Sequence, residues 1–415
     1  MISSHAPFSL WAILLFAGCC KAYRQALIID TDLYSDVEYV PPKQGASLPL
    51  PPDSFFVIAA DRGDSDAGAL LVAATLPESD LRAVNVNYAS TFSALAASAI
   101  LAYYGHEKTP IGIPRPLNNN TFFDTWDYNL GEYAAKVAFH WSGGSLPWGH
   151  ADDAWDPVEL YRKTLSEAED GSLKIVSIGF LDNISGLLNS TADTYSPLDG
   201  PELVRRKVSE LVIMGGGYPS GHSWNFWGSG HPARTSQVIN DWDSTIPLTF
   251  VGDDTGKYVL AGGALMDDGP AADPVRRAYT YYTYGLTPGR ASWDPLAVLY
   301  AICGLGALFR RGNDFGYNHV ESGNGSNYWV WDERVTNQSF LRLAVPNETA
   351  AAEVDRLFLN GARSATGDEQ LPSRETPGPL NGLDGWWTTL AVVCLCFVGL
   401  ASLARYWCLT RMKAE

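Results

Sequence analysis

Three aspartates accompany one short apolar run near the start of the chain. Residues 27–29 are Leu-Ile-Ile, which is typical of a buried strand, and Asp30, Asp32 and Asp36 come where that strand ends. In an open α/β sheet, ligands bind at the edge formed by the carboxyl ends of the strands. Carboxylates crowded there repel one another, and a hard cation held by oxygens is the usual way to keep them ionised. The spacing therefore predicts a metal site, with a solvated acidic turn as the alternative.

Polar groups follow other predicted strands as well. Asn87 ends the second strand, Asp182 follows a middle strand, and Met214 ends the next one before a run of glycines. Asp294 precedes a predicted helix at 295–301, where we interpret it as the N-cap with Pro at the first helical position. Because the carboxyl ends of parallel strands share one edge, we expect these groups to converge.

Strands and helices alternate along the body of the chain. The first elements follow in βαβαβ order, which predicts a parallel sheet with right-handed crossovers. The predicted elements are strands at 27–29, 81–87, 111–113, 172–177, 209–214 and 246–251, and helices at 67–76, 91–104, 157–168, 183–188, 274–284, 295–301 and 349–360. We therefore expect an α/β fold, with a mostly parallel central sheet flanked by helices, in one domain over residues 23–370.

The two ends of the chain carry targeting signals. Residues 1–22 contain an apolar core and a small-residue cleavage site, as a secretory signal peptide does. Residues 386–404 are an apolar run of spanning length with Arg and Lys beyond it, which predicts a single transmembrane helix with a cytoplasmic tail at 405–415. A Pro/Gly-rich linker occupies 371–385. These features predict a type I membrane protein of the secretory pathway, with a lumenal or extracellular body.

Composition limits the partners and the means of stabilisation. The formal net charge of −17 argues against binding to a nucleic-acid backbone, which needs clustered Lys and Arg, but allows nucleosides, which carry no phosphate. Of six cysteines, only Cys303 falls in the predicted body, so no intramolecular disulfide is available there and stability must come from core burial. The sequence leaves the oligomeric state open, a homo-oligomer included.

Glycosylation sequons fit a secreted surface. Five of them are expected to be exposed: Asn119, Asn189, Asn324, Asn337 and Asn347.

Seven short motifs together resemble the inosine-uridine preferring nucleoside hydrolases. They occur in the family's order and at roughly its spacing between about residues 27 and 301: Asp30-Thr-Asp32, Asp66-Ala-Gly-Ala-Leu, Asn87, Gly179-Phe-Leu-Asp-Asn183, Val212-Ile-Met-Gly-Gly216, Trp224-Asn225-Phe and Asp294-Pro-Leu-Ala-Val. Three variants are most similar to the fungal branch of the family: Leu33-Tyr-Ser-Asp36, Gly217-Tyr-Pro-Ser and Trp293.

The resemblance implies Ca²⁺-dependent hydrolysis of the N-glycosidic bond of ribonucleosides. By position in the motifs, Asp32, Asp66 and Asp294 resemble the carboxylate ligands of the ion. The backbone carbonyl of Asp182 matches a further ligand, and Asp30 matches a supporting residue. An all-oxygen site of this kind suits Ca²⁺ and disfavours zinc.

The same resemblance assigns substrate contacts. Asn87, Met214 and Asn225 match the ribose contacts, with Trp224 beside Asn225. Asn183 belongs to a site motif, so we expect this sixth sequon match to be buried rather than glycosylated.

Two positions differ from the best-known members of the family. Trp293 stands where they carry the His that assists the leaving base, and its ring can stack on a purine but cannot protonate it. Trp126 could form the other side of a sandwich, although structural packing is an equal alternative for it. Stacking on a two-ring base predicts a purine preference. Ser223 stands where many members have a Glu that contacts the ribose 5′-hydroxyl.

The general base should be an aspartate beside the metal. Counting forwards from Asp32 gives Asp36, whereas counting back from Asp66 lands on Ser65, with Asp64 adjacent. The two counts differ because residues 38–65 interrupt the family's run of acids with a Pro-rich insertion. That segment is either an inserted loop or a retained intron. Its ends can be encoded with splice-like signals, and removing it would restore a single Asp before Asp66.

Two other functions are compatible with parts of the sequence. A haloacid dehalogenase-type phosphatase also begins with Asp-x-Asp and uses Gly-Asp-Asp, as at 252–254, but that interpretation leaves the motif at Asp294 unexplained. The stronger alternative is a membrane-tethered nucleoside-binding module without turnover, which the interrupted aspartate run favours.

Overall fold

An eight-stranded sheet forms the centre of the fold. In the computed structural model, residues 24–33, 64–120, 132–285 and 289–367 are described, and they belong to one compact unit that ends at Gly367. Its strands are β1 (Gln25–Thr31), β2 (Ser79–Val86), β3 (Ile111–Gly112), β4 (Leu173–Ser177), β5 (Val208–Met214), β7 (Leu248–Val251), β10 (Phe309–Arg311) and β13 (Gln338–Leu343). They lie in the order β10-β13-β7-β5-β4-β1-β2-β3.

All neighbouring strands of this sheet are parallel except the pair β10 and β13. Two smaller sheets lie outside it, formed by β6 (Ser220–Gly221), β11 (Tyr317–Val320) and β12 (Asn327–Val330), and by β8 (Leu260–Ala261) and β9 (Arg290–Ala291). The prediction of a mostly parallel central sheet is confirmed.

Helices connect the strands. The described helices are α1 (Asp64–Thr75), α2 (Thr91–Tyr103), α3 (Ala134–His140), α4 (Pro157–Glu167), α5 (Asp182–Leu188), α6 (Gly200–Lys207), α7 (Trp224–Trp227), α8 (Pro232–Asn240), α9 (Asp253–Gly256), α10 (Gly263–Asp268), α11 (Pro274–Thr283), α12 (Trp293–Cys303) and α13 (Asn347–Thr366).

Strand β1 shows why the sheet is buried on both faces. Leu27 and Ile29 belong to one hydrophobic cluster, which includes residues of α1, α2 and α12. Ile28 points to the opposite face, into a second cluster with residues of α4, α5 and α6. Because side chains alternate along a strand, a run of three apolar residues is needed where both faces are covered.

Several element boundaries differ from the sequence predictions. Helix α12 begins at Trp293 with Ser292 at the cap position, so Asp294 lies inside the first turn and its interpretation as the N-cap is wrong. Strand β7 begins at Leu248 rather than at residue 246, since Pro247 has no N–H to give to a ladder. Helices α6, α7, α8, α9 and α10 were not predicted.

Several predicted features lie outside the described residues. They are the signal peptide at 1–22, most of the insertion at 38–65, the linker at 371–385, the span at 386–404 and the tail at 405–415. Within the described ranges, no helix combines the length and apolarity needed to cross a bilayer.

Candidate active site

Asp30, at the end of β1, links three segments at the carboxyl edge of the sheet. Its Oδ1 accepts hydrogen bonds from Asn87 Nδ2 at 2.6 Å and from Asn183 Nδ2 at 3.4 Å. Its Oδ2 accepts one from the Tyr161 hydroxyl at 2.7 Å. Burial raises the pKa of Asp30 to about 7, although these donors oppose the shift. Both oxygens of Asp30 are thus committed to neighbouring side chains, and its supporting role beside a metal stays a prediction.

Helix α1 joins β1 to α12 through two hydroxyl groups. The Thr31 hydroxyl donates to the carboxylate of Asp66, and the Ser65 hydroxyl donates to the carboxylate of Asp294. Thr31, Ser65, Asp66 and Asp294 are all buried. The segments that carry the predicted carboxylates of Asp32, Asp66 and Asp294 therefore meet at one corner of the sheet edge.

The described residues do not complete a metal centre. Their chemistry suits a hard cation, because carboxylate oxygens are the ligands that Ca²⁺ prefers. However, no group of three or more His, Cys, Asp or Glu side chains in the described ranges is arranged to hold an ion. Asp36 lies outside those ranges, and Asp64 is the first residue of α1. The Ca²⁺ site thus stays a prediction.

Gly179 shows how closely the strand ends approach. A Cβ atom on Gly179 would lie 2.5 Å from the backbone nitrogen of Asp32 and 2.8 Å from Asn87 Nδ2. Only glycine allows this contact, so the segment after β4 packs directly on the segments after β1 and β2.

The predicted ribose contacts fall into two groups. Asn87 is buried, and its Nδ2 also donates to the carbonyl of Phe180 at 2.9 Å, while its Oδ1 has no partner among the described residues. Asn225 Nδ2 lies 3.2 Å from both the carbonyl oxygen and the Sδ of Met214. A buried acceptor that has no partner among the described residues, such as Asn87 Oδ1, is suited to accept a hydrogen bond from a hydroxyl group of a ligand.

A cavity of about 470 Å³ opens beside Asn87. Its size is typical of small-molecule sites. Phe180 and Trp224 give it an aromatic wall, with their ring centroids 6.1 Å apart. The cavity is also lined by Asp182, Asn183, Arg115, His231 and Arg234.

Asp182 is held through its side chain by the start of α8. Its Oδ1 lies 2.6 Å from Arg234 Nη1 and 2.9 Å from His231 Nδ1, and its buried Oδ2 has no partner among the described residues. Asn183 is buried, as predicted for this sequon, whereas Asn119, Asn189 and Asn324 are exposed and Asn337 and Asn347 are half-buried.

Trp293 is enclosed rather than open to the cleft. Only 2% of its surface is exposed, and its indole N–H donates to the backbone carbonyl of Asp253 at 2.7 Å. The Ser223 hydroxyl donates to Asp253 Oδ1 at 2.7 Å, and burial raises the pKa of Asp253 to about 6. Stacking of Trp293 on a base stays a prediction, and it would require the indole to become exposed to the cleft. Trp126 lies outside the described residues.

Four residues of this region were missed by sequence reasoning: Thr31, Ser65, Tyr161 and Asp253. Thr31 and Ser65 adjoin predicted acids, so their position in the motifs was the only available signal. Tyr161 gave no signal, because it is one of several residues on the buried face of α4. Its hydrogen-bond partner Asp30 is 131 positions away in the sequence. Asp253 was noted only as part of Gly-Asp-Asp in the phosphatase alternative.

Comparison with known proteins identifies the fold. No protein-family model and no curated protein matches the sequence. Among solved structures, an inosine-uridine preferring nucleoside hydrolase from Bacillus anthracis matches with a TM-score of 0.53 at 15% identity, over 80% of this chain and 99% of that one. A purine-preferring ribonucleoside hydrolase from Gardnerella vaginalis matches with a TM-score of 0.56 at 15% identity, over 82% and 99%.

A third match is the type III effector protein XopQ, complexed with adenosine diphosphate ribose. Its TM-score is 0.50 at 15% identity, over 82% of this chain and 94% of that one. At these identities the likeness establishes the fold, which is that of the nucleoside hydrolases, as predicted. The assignment to the fungal branch stays a prediction.

Proposed function

We propose that this protein hydrolyses the N-glycosidic bond of ribonucleosides to ribose and free base, with purine bases preferred and Ca²⁺ as the cofactor. The observation that carries the proposal is the meeting of β1, α1 and α12 through the Thr31–Asp66 and Ser65–Asp294 hydrogen bonds. These contacts bring together segments that are distant in sequence and that hold the predicted acidic residues. The nucleoside hydrolase fold supports the same function.

The residues suit a reaction that builds positive charge on the sugar. When the bond between C1′ and the base nitrogen breaks, the electron pair leaves with the base and the ribose becomes oxocarbenium-like. Carboxylates at the sheet edge stabilise that charge. Asn87 offers a buried acceptor to a ribose hydroxyl, and Asp30 orients Asn87 through the 2.6 Å hydrogen bond. A water molecule attacks C1′ and loses its proton to an aspartate, for which Asp36 and Asp64 are the candidates, while the departing base takes a proton from solvent.

When bound, Ca²⁺ would supply a positive centre that orients and acidifies the attacking water. Asp32, Asp66 and Asp294 are the residues proposed to hold it, with the backbone carbonyl of Asp182.

Ribose release from inosine or guanosine by the purified full-length protein in detergent tests the function. Reducing-sugar formation that depends on protein concentration is the expected result. Calorimetric binding of inosine without ribose release would instead support the membrane-tethered binding module.

We also propose that the body lies in the lumen of the secretory pathway or outside the cell. The exposure of Asn119, Asn189 and Asn324 supports this placement, because a glycan needs a solvent-accessible Asn. Expression in a eukaryotic host, followed by endoglycosidase digestion, should reduce the apparent mass. No change in mass, together with digestion of the body by protease added to the cytoplasmic side, would contradict it.

A further inference from the structure

Tyr161 is a buried residue whose hydrogen-bond partner belongs to the candidate site. Its hydroxyl donates to Asp30 Oδ2 at 2.7 Å, and both side chains are fully enclosed. Burial raises the pKa of Tyr161 well above its ordinary value, so the hydroxyl keeps its proton and serves as a donor. Asp30 Oδ1 is left to accept from Asn87 and Asn183. The Tyr161 hydroxyl thus determines which oxygen of Asp30 is available to the two amides.

Helix α4 carries Tyr161 and also forms one wall of the cavity. Asn85 Nδ2, on β2, donates to the carbonyl of Pro157 at 3.2 Å, which ties the start of α4 to the sheet. Pro157 and Val158 line the cavity. Tyr161 follows one turn later on the buried face of the helix. The contact that holds this cavity wall against the sheet therefore also holds Tyr161 in place.

The amide of Asn87 has one atom left for a ligand. Its Nδ2 carries two protons, and it donates to Asp30 Oδ1 at 2.6 Å and to the carbonyl of Phe180 at 2.9 Å. The opposite orientation of the amide would place its oxygen against two acceptors. Asn87 lines the cavity, and its Oδ1 has no partner among the described residues. A ligand that contacts this amide must therefore bring a donor, as a ribose hydroxyl does.

We propose that Tyr161 is a positioning residue, which acts through Asp30 to hold the Asn87 amide in the orientation that accepts a hydrogen bond from a ribose hydroxyl. This inference rests on the proposed function, and it assigns a role to a residue that does not itself line the cavity. Without the Tyr161 hydroxyl, Asp30 Oδ2 loses this donor, and the carboxylate can turn away from Asn87. Because the ribose hydroxyl is present in both the substrate and the transition state, the loss should raise KM rather than lower kcat.

The test is a double-mutant cycle on the full-length protein in detergent. Tyr161→Phe removes the hydroxyl and keeps the buried ring, Asn87→Ala removes the amide, and a third variant carries both changes. Tyr104→Phe is the matched control, because the Tyr104 hydroxyl donates to buried Asp273 at 2.8 Å and neither residue lines the cavity. Ribose release from inosine gives kcat and KM for each protein, and thermal unfolding measures its stability.

Tyr161→Phe should raise KM for inosine by about fivefold, the effect of weakening one hydrogen bond, and kcat should change by less than about twofold. Asn87→Ala should raise KM at least as far. In the Asn87→Ala background, Tyr161→Phe should change KM by less than about twofold, since the amide that it positions is absent. Tyr104→Phe should lower the thermal stability as Tyr161→Phe does, but leave kcat and KM as in wild type.

Three outcomes of the cycle overturn the proposal. If Tyr161→Phe raises KM by the same factor with and without the Asn87 amide, the hydroxyl acts on another part of the site. If Tyr104→Phe raises KM equally, both variants report a general loss of stability. An unchanged KM in Tyr161→Phe means that Asp30 holds Asn87 without the hydroxyl.

Failure of the proposed function is recognised separately. If the wild type binds inosine without releasing ribose, the hydrolase function fails. Calorimetric dissociation constants for inosine then replace KM in the same cycle, and the same factors are expected. If the wild type neither binds nor hydrolyses inosine, the proposed function and the role of Tyr161 fail together.

Discussion

Ser65 at the start of α1 donates its hydroxyl to the carboxylate of Asp294 in the first turn of α12, across 229 positions of sequence. The contact gives the Asp294 carboxylate a partner on another helix, which fits its position inside α12 rather than at the cap. An N-cap side chain bonds to the N–H groups of its own helix, whereas this carboxylate turns toward α1. The corner of the candidate site is thus held by a hydrogen bond between two helices.

Replacement of Asp294 by Ala should abolish Ca²⁺-dependent nucleoside hydrolysis while the protein still folds. Loss of the partner of Ser65 should cost about 1–3 kcal/mol of unfolding free energy, the usual penalty for a buried polar group left unsatisfied. Ser65→Ala should lower kcat/KM by about tenfold, because the carboxylate loses a hydrogen bond worth roughly 1.4 kcal/mol. Calorimetric titration measures the Ca²⁺ affinity, thermal unfolding measures the stability, and ribose release measures kcat/KM. Equal Ca²⁺ affinity in wild type and Asp294→Ala would contradict the assignment.

Removal of divalent cations should stop the reaction. Treatment with EGTA followed by gel filtration should leave less than about 1% of the ribose release, since an acidified water is worth several kcal/mol of barrier. Added Ca²⁺ should restore activity and Zn²⁺ should not, because oxygen ligands select the harder ion. Full activity after exhaustive chelation would rule out a metal cofactor.

Purine nucleosides should be better substrates than pyrimidine nucleosides. If an aromatic ring stacks on the base, the second ring of a purine adds about 1 kcal/mol, or roughly fivefold in kcat/KM. The comparison is inosine against uridine, with Trp293→Phe to test whether the indole is involved. Comparable kcat/KM for inosine and uridine would refute the stacking account.

The unfolding free energy should depend on pH through Asp253. Burial raises the pKa of this carboxyl from 3.8 to about 6, so the folded state holds its proton more tightly than the unfolded state. Stability is therefore lost as pH rises from about 4 to about 6, because the ionised form is penalised only in the folded protein.

The variant Asp253→Asn removes that ionisation and keeps an acceptor for Ser223. Its stability relative to wild type should increase by about 3 kcal/mol between pH 4 and pH 7, at 1.36 kcal/mol per unit of pKa. Chemical denaturation at both pH values measures this change. Asp254→Asn is the control, since Asp254 is exposed and the same charge is lost one residue away. Parallel pH profiles for wild type and Asp253→Asn would show that the buried carboxyl is not the cause.

The segment at 38–65 should be absent from the most active form of the protein. A variant in which a single Asp replaces residues 38–65 restores an uninterrupted run of acids before Asp66, but it also removes Ser65 and its hydrogen bond to Asp294. We still expect it to hydrolyse inosine faster than the chain with the segment, because a general base contributes about 10²- to 10⁴-fold, which exceeds the tenfold loss expected from Ser65→Ala. Sequencing of the mature transcript tests the retained-intron hypothesis directly. If the transcript contains the segment and the full-length protein is active, the hypothesis fails, and Asp36→Asn and Asp64→Asn become the variants that identify the base.

Sequence reasoning located six strands of the central sheet because their signals are local, whereas β10 and β13 were not placed. Runs such as 27–29 and 209–214 are apolar over a strand length and end in polar residues, and the structure has strands at both places. Helix α8 was missed because its start, His231-Pro232, offers no side-chain cap, and its residues include few large apolar groups. Its place is set by tertiary contacts, since His231 and Arg234 pair with Asp182.

The contacts within the candidate site were less predictable than its members. Asp30, Asn87 and Asn183 were named from motifs, and the structure brings their side chains into hydrogen-bonding contact. Tyr161 completes that group from a helix whose amphipathic pattern indicates only a buried face. Periodicity tells which side of an element is covered, but not which polar atom it meets there. Trp293 is enclosed, and its indole is held by a hydrogen bond to the carbonyl of Asp253. No local sequence pattern indicates this contact.

The position of β1 in the sheet has a consequence for how the chain folds during synthesis. Among the described strands β1 is made first, yet it lies between β2 and β4. The Gln25 side chain donates a hydrogen bond to the carbonyl of Ser172, 147 positions later in the sequence. Until β4 leaves the ribosome, one edge of the β1–β2 pair exposes unsatisfied backbone groups beside Leu27, Ile28 and Ile29. Such an edge is prone to aggregate. We therefore expect the nascent chain to be most prone to aggregation in the interval between the synthesis of the two strands.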